Sequence, residues 1–307
     1  MTSAPHAGLG IVLMVAAAAC FALMDSTTRW LGAFLPVTLM LWARYALHAV
    51  VMALWLGADR SKPFRTSRPG FQVLRGSLLL SSSALAFHAL QHMPVAEFTA
   101  MMMLTPVLVT LMSPWLLHER VSALRWALVA GGFAGALIVI RPGSGLFGWV
   151  ALLPLVTAFS NAGFQVLTSR LGAGESAHTT NFYTGLVGTA VMTPLLLASP
   201  IDADAVLFSA PPLHLVLLAG IGLLGTAGHL SLVMSLGLAR AATLMPFIYT
   251  QIGFAALAGW VVFRDAPDAW GWVGMAVIAA CGAASAWLNV RDARHTVTPV
   301  EADTIAD

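Results

Sequence analysis

Charged residues are scarce in this sequence: they are 9% of 307 residues, Lys62 is the only lysine, and 59% of the chain is hydrophobic. A soluble domain gives about a quarter of its residues to Asp, Glu, Lys and Arg, so a water-facing surface cannot be assembled from this supply. No separate hydrophilic block interrupts the apolar segments, which points to a single membrane domain. Cysteine is nearly absent too: Cys20 and Cys281 lie in apolar runs near opposite ends and read as inert thiols without metal-ligand or redox spacing. The nucleotide signature G-x-x-x-x-G-K-[ST] is missing, as are H-E-x-x-H and any nucleophile-with-base spacing. Gly143-Ser144-Gly145 has no strand-to-helix context and reads as a turn. The expectation is no cofactor, no metal and no enzymatic activity. Nucleic acid is excluded as a partner because the net charge of +2 is spread over loops instead of forming one basic patch.

What is present is apolar length. Runs of roughly 18 or more residues recur from end to end, each long enough to cross about 30 Å of hydrocarbon as a helix. Pro, Gly and charge punctuation divides them into ten spans at 9–30, 36–57, 70–92, 95–117, 123–141, 147–170, 179–199, 213–237, 241–263 and 269–289. The most hydrophilic interruption, Asp59 to Arg68, carries Lys62 and three arginines between spans two and three, and the positive-inside rule makes it cytoplasmic. Counting outward from it puts both termini inside and predicts a disordered cytoplasmic tail over 290–307. The run ending Ala17-Ala18-Ala19-Cys20 resembles a cleavage site only faintly, because the apolar run continues past it, so the first span is expected to be retained.

A shift of 146 residues lays Glu119–Trp126 on Asp265–Trp272 and Ala96 on Ala242. The chain thus reads as an all-α membrane protein of two five-helix repeats, 9–141 and 147–289. Each repeat has an odd number of spans, so the second lies upside down relative to the first, an arrangement common among secondary transporters. Spans five and ten, rich in glycine (Gly131, Gly132, Gly135, Gly271, Gly274) and nearly free of polar side chains, read as scaffold or dimer-contact helices.

Ionisable groups inside a span cost several kcal/mol unless a cavity or partner receives them, so each is a candidate site. Asp25 lies about 8 Å below the outer end of span one and Arg44 about 12 Å below the outer start of span two, depths at which they can meet. Arg29, one turn beyond Asp25, is the competing local partner. Arg44 has no such neighbour and needs a carboxylate, carbonyls or water elsewhere in the bundle. His48 lies in the same span. His88 reads either as a packing residue or as a cavity group sensitive to pH, and Glu97 as an interfacial carboxylate. The second half offers Ser160, Asn161, Gln165, Tyr183, His229, Tyr249, Thr250 and Gln251. Trp42, Phe164 and Met101–Met103 are candidates for an aromatic, adaptable pocket wall, while Ser81–Ser83 fit helix packing. Pro106 and Pro246 interrupt spans four and nine, as gates or as static kinks.

These residues resemble the EamA-type ten-helix carriers of the drug/metabolite transporter superfamily. The likeness rests on Phe21-Ala22-Leu23-Met24-Asp25 with Arg29, Trp42-Ala43-Arg44-Tyr45, Leu74-Arg75-Gly76, Pro94-Val95-Ala96-Glu97, Leu104-Thr105-Pro106, His118-Glu119-Arg120 and Ile140-Arg141-Pro142. It covers nearly the whole chain. The second half departs from the pattern, with Asp265 where a Glu closes the ninth helix and Gln251-Ile252 in place of Thr-Pro. The resemblance implies a basket in the bacterial inner membrane, with spans one to four and six to nine around a central cavity and lipid on the outside. It also implies a small-molecule substrate moved by alternating access, with an amino acid or related metabolite exported as the first expectation. Import of a vitamin or nucleotide-type compound, as in riboflavin- or S-adenosylmethionine-type carriers, is the alternative. A substrate carboxylate or phosphate is expected to pair with Arg44, and Asp25, Asn161, Gln165, His229 and Gln251 are expected to serve the path.

Overall fold

The computed structural model describes residues 7–58, 64–116, 123–141, 148–171, 176–238 and 247–295. These residues are helical, with no strand among them. The helices are α1 (Ala7–Leu31), α2 (Val37–Ala58), α3 (Pro69–Ala89), α4 (Val95–Met102), α5 (Thr105–Leu116), α6 (Ala123–Ile140), α7 (Leu152–Leu171), α8 (Ala177–Leu197), α9 (Ala203–Ser209), α10 (Pro212–Leu238), α11 (Thr250–Ala258) and α12 (Ala269–His295). By length and composition α1, α2, α10, and α7 with the 3-10 turn before it, can each cross a bilayer. The stretches Val95–Val109, Trp126–Ile140, Thr250–Phe263 and Ala269–Ser285 are apolar but shorter.

The structure departs from the sequence reading in three places. Span four is broken into α4 and α5 at Met103–Leu104, and Pro106 falls in the first turn of α5, where its missing N–H leaves no intrahelical bond unmade. Thr105 Oγ1 donates to Met102 O at 2.7 Å across the break. Pro246 lies outside the described residues. A short helix absent from the sequence reading, α9, precedes α10 and is capped by Asp202, whose Oδ1 accepts from Ala205 N at 3.0 Å. The last helix continues to His295 rather than ending at 289.

Helices of one half pack mainly on helices of the other. The principal pairs are α1 with α10, α2 with α8, α3 with α7, and α6 with α12, followed by α2 with α10, α1 with α11, α3 with α8, and α5 with α7. Exchanging the halves maps this set of pairs onto itself: α1–α10 becomes α7–α3, and α2–α10 becomes α8–α3. Two equivalent halves embracing about a pseudo-twofold axis pack in this way.

Glycines set the closest approaches. A Cβ on Gly185 would lie 2.6 Å from the Ala49 amide nitrogen, and one on Gly188 would enter the Tyr45 ring, so α8 rests almost directly on α2. Between α6 and α12, a Cβ on Gly274 would be 2.7 Å from Gly135 O. These two glycine-faced helices therefore spend their small residues on each other, as scaffold. At the two ends of α12, Trp270 and Trp287 stand 60% and 59% exposed, 17 residues and about 25 Å apart.

Candidate functional site

Among the described residues, three charged side chains are buried: Asp25 (6% exposed), Arg44 (6%) and Arg75 (3%). They belong to α1, α2 and α3, and second-half helices complete their surroundings.

Arg44 Nη1 donates to Ser83 Oγ at 2.8 Å. Ser83 gives its only proton to Leu79 O, also at 2.8 Å. The Tyr45 hydroxyl, 2.8 Å from Ser83 Oγ, is then the donor to it. That serine is thereby saturated and holds the guanidinium against α3, near the rings of Tyr45 and Phe87, whose centroids are 5.3 and 5.4 Å from Cζ. The other side of Arg44 faces Gly225 of α10, where a Cβ would lie 3.3 Å from Nε and 3.9 Å from Nη2. Asp25 is within the field of Arg44 but makes no ion pair with it, and neither does it pair with Arg29. The local-partner reading of Asp25 is thus replaced: Arg29 reaches across to Asp265, with Nη1 2.7 Å from Oδ2, and lies over the Phe263 ring at 4.2 Å.

One turn inward from Arg44, His48 is 5% exposed, and its Nε2 is buried without a hydrogen-bond partner. His229 of α10 sits beside it at 6.4 Å between ring centroids, and edge-on to Phe21 at 5.0 Å. Deeper still, Arg75 donates Nε to Thr168 Oγ1 at 2.6 Å, and Nη1 to Thr184 Oγ1 at 2.6 Å and to Thr180 O at 3.1 Å. Its Cζ stands 4.3 Å from the centroid of Phe164. Asn161 and Gln165 are joined by a 2.9 Å bond from Gln165 Nε2 to Asn161 Oδ1, on the face of α7 that also carries Phe164 and Thr168. The polar groups therefore form a column from Asp25 through Arg44, His48 and His229 to Arg75, and the amide pair, with Gln165 exposed, stands beside its end on α7.

Other candidates stand apart from it. His88 is exposed, with His92 at 4.9 Å and Trp149 at 6.4 Å, because it lies off the buried stripe of α3 that carries Arg75, Leu79, Ser83 and Phe87. Trp42 Nε1 donates to Thr193 Oγ1 at 3.1 Å and joins α2 to α8. Tyr249 packs on Gly282 of α12, its hydroxyl buried without a partner. Tyr183 stacks edge-on against Phe182 at 5.7 Å. Gln251 is buried at the start of α11. Among the described residues no cluster of His, Cys, Asp or Glu has metal-binding geometry.

Arg75 and Ser83 are the column residues that the sequence reading left out of the site. The available signal was the buried stripe itself, since Arg75, Leu79 and Ser83 follow each other at four-residue intervals.

A second group of charges gathers at one end of the bundle, where α1 and α6 finish and α12 begins. Arg141 Nη1 is 2.7 Å from Asp268 Oδ2, and Asp268 Oδ1 accepts from Gly271 N at 2.8 Å as the cap of α12. That N–H first, then Arg141, holds the Asp268 carboxyl below its ordinary value of 3.8. The backbone turns sharply here: Arg141 and Arg264 adopt φ of 48° and 60°, and the latter closes the π-turn Gly259–Phe263 and aims Asp265 toward Arg29.

Comparison with known proteins gives this architecture a family. The EamA-like transporter family model matches residues 8–141 and again 148–285. A riboflavin transporter of Brucella anthropi is 30% identical over 268 residues, covering 86% of this chain and 94% of that protein. An S-adenosylmethionine uptake transporter of Rickettsia prowazekii is 23% identical, with 80% and 81% covered. A pseudopaline exporter of Pseudomonas aeruginosa is 26% identical, with 85% and 89% covered. A solved crystal structure superposes with a TM-score of 0.64 at 21% identity, covering 95% of this chain and 99% of the other, a likeness of fold. The chain belongs to the EamA-like transporter family of the drug/metabolite transporter superfamily and is an integral membrane small-molecule transporter.

Proposed function

We propose that this protein is a secondary transporter in which two inverted repeats rock about the Asp25–Arg44–His48–Arg75 column and expose it to one side of the membrane at a time. The observation that carries this reading is the column itself. Two cations, a carboxylate and an unpartnered imidazole nitrogen sit between helices of both halves, where hydrocarbon alone would not hold them. Coupling comes from an ion, a proton or the substrate's own gradient. Ten spans with both termini cytoplasmic complete the proposal, following the loop charge.

For the substrate, the relatives named riboflavin transporter, at 29–30% identity, favour a vitamin or nucleotide-type compound, and those named S-adenosylmethionine uptake transporter support import as the direction. Export of an amino acid or related metabolite is the second reading, supported as to direction by the pseudopaline exporter among the relatives. Purified protein in proteoliposomes loaded with unlabelled riboflavin should accumulate labelled riboflavin by counterflow. Arg44→Ala should abolish that accumulation while leaving the melting temperature of the empty protein within a few degrees. Full counterflow in the variant removes Arg44 from the path, and no counterflow in the parent removes riboflavin as substrate.

A further inference from the structure

The column is not electrically balanced. Arg44 and Arg75 contribute two positive charges, and Asp25 is the only buried carboxylate among the described residues. Arg44 feels Asp25, whereas every hydrogen bond of Arg75 goes to a neutral oxygen, on Thr168, Thr184 or the main chain of Thr180. Neutral oxygens solvate a guanidinium without cancelling its charge, so Arg75 is held in place and still able to receive a counter-charge.

Both guanidiniums also keep donors in hand. Arg44 commits Nη1 alone, which leaves the Nε–Nη2 edge, the edge whose paired N–H groups match a carboxylate or phosphate. That edge faces Gly225, the position where a side chain would fill the space beside Nε. Arg75 commits Nε and Nη1, which leaves Nη2. Along α3, Ser83 under Arg44 and Arg75 itself are eight residues apart, about 12 Å of axial rise. Between the two in depth lies His48, 5% exposed, whose Nε2 is buried without a partner and suited to a hydroxyl or N–H of the same ligand.

We propose that the transported molecule is an anion, bearing a phosphate or carboxylate, and that Arg75 is the second of two cationic stations for its charged group, the Nε–Nη2 edge of Arg44 over Gly225 being the first. The inference rests on the carrier reading above and adds the substrate's charge class and a residue that selects for it. A neutral analogue leaves the excess charge uncancelled and is held less well.

The test uses the full chain, with inorganic phosphate and riboflavin 5′-phosphate as probes. Phosphate should stabilise the purified protein against thermal unfolding in a saturable way that chloride at equal ionic strength does not match. Arg75→Gln should weaken that saturation about tenfold and Arg75→Lys much less, since the lysine keeps the charge. Gly225→Ala should weaken it too, because its Cβ crowds Nε and Met24 Sδ. In proteoliposomes, riboflavin 5′-phosphate should compete for the carrier better than riboflavin. An unsaturable phosphate effect, an equal effect in Arg75→Gln and the parent, or equal losses in the Gln and Lys variants overturns the proposal. Transport of riboflavin in preference to its phosphate ester also overturns it and leaves the carrier reading standing. Saturable, Arg75-dependent phosphate binding without flux of either flavin upholds the anion site and sinks the flavin assignment.

Discussion

The charges at one end of the bundle, where α1 and α6 finish, and the charges in the column are handled in opposite ways. At that end, Arg29 and Arg141 each meet a carboxylate of the second half at 2.7 Å, and the partners keep 21–49% of their side-chain surface exposed. In the column, nearly buried arginines are bonded to hydroxyls and a carbonyl, and the sole carboxylate stops short of an ion pair. The end pairs are complete contacts between the halves, which the proposed rocking would have to break to open that end. The column charges are incomplete contacts that a ligand can finish. Partly exposed pairs are worth about 0–1 kcal/mol, little enough to open and close, whereas an unpaired buried charge costs several.

Reversing charge in each region tests this division most strongly. Arg44→Glu puts a second carboxylate beside Asp25 and should eliminate transport and lower the melting temperature. Arg29→Glu should slow transport less than about tenfold, because water reaches that site. Equal losses in a proteoliposome assay of the two variants would erase the distinction. Next in size, Asp25→Asn removes the only internal counter-charge. Phosphate should then bind several-fold tighter while turnover falls, since the anion is released against a stronger field. Weaker phosphate binding in that variant would mean that Asp25 organises Arg44 instead of competing with the ligand.

Smaller again, Asp265→Asn should change stability by less than about 1 kcal/mol yet shift the population toward opening at that end, read as faster labelling of a cysteine placed at Ala22. The smallest effect concerns pH. The folded Asp268 carboxyl is held below 3.8, so its contribution is fully present above that value and is lost as pH falls through the lower folded one. Amide exchange at Gly271, corrected for intrinsic rate, should stay constant from neutral pH down to about 4 and rise below it. A rise already near pH 6 would implicate another group.

Much of the fold was legible because hydrocarbon imposes a single demand, a long apolar helix, and the described helix ends fall mostly within a few residues of the spans read from the sequence. Arg44 was legible for the same reason, as a charge without a neighbour one turn away. Arg75 was not, because it stands near the N-terminal end of α3, where an arginine normally reaches the interface; what buries it is the approach of α7 and α8, a tertiary fact. His88, read as either a packing residue or a cavity group, lies on an exposed face of α3, off the stripe that carries Arg75 and Ser83, a rotation that the sequence reading did not resolve. Ser83, read as a packing serine, is the group that holds Arg44, because a hydroxyl can bond its own helix and still accept from two others.

The tryptophans of α12 give that helix a mechanical office. Indole rings settle at the boundary between headgroups and hydrocarbon, so Trp270 and Trp287, about 25 Å apart, are spaced to tie one rod to both faces of a membrane. Because α6 is fastened to that rod backbone to backbone at Gly135 and Gly274, the pair behaves as a fixed bearing whose height follows the lipid. Turnover should then depend on bilayer thickness, fastest where the hydrocarbon matches that spacing, with the lipid acting as a part of the machine.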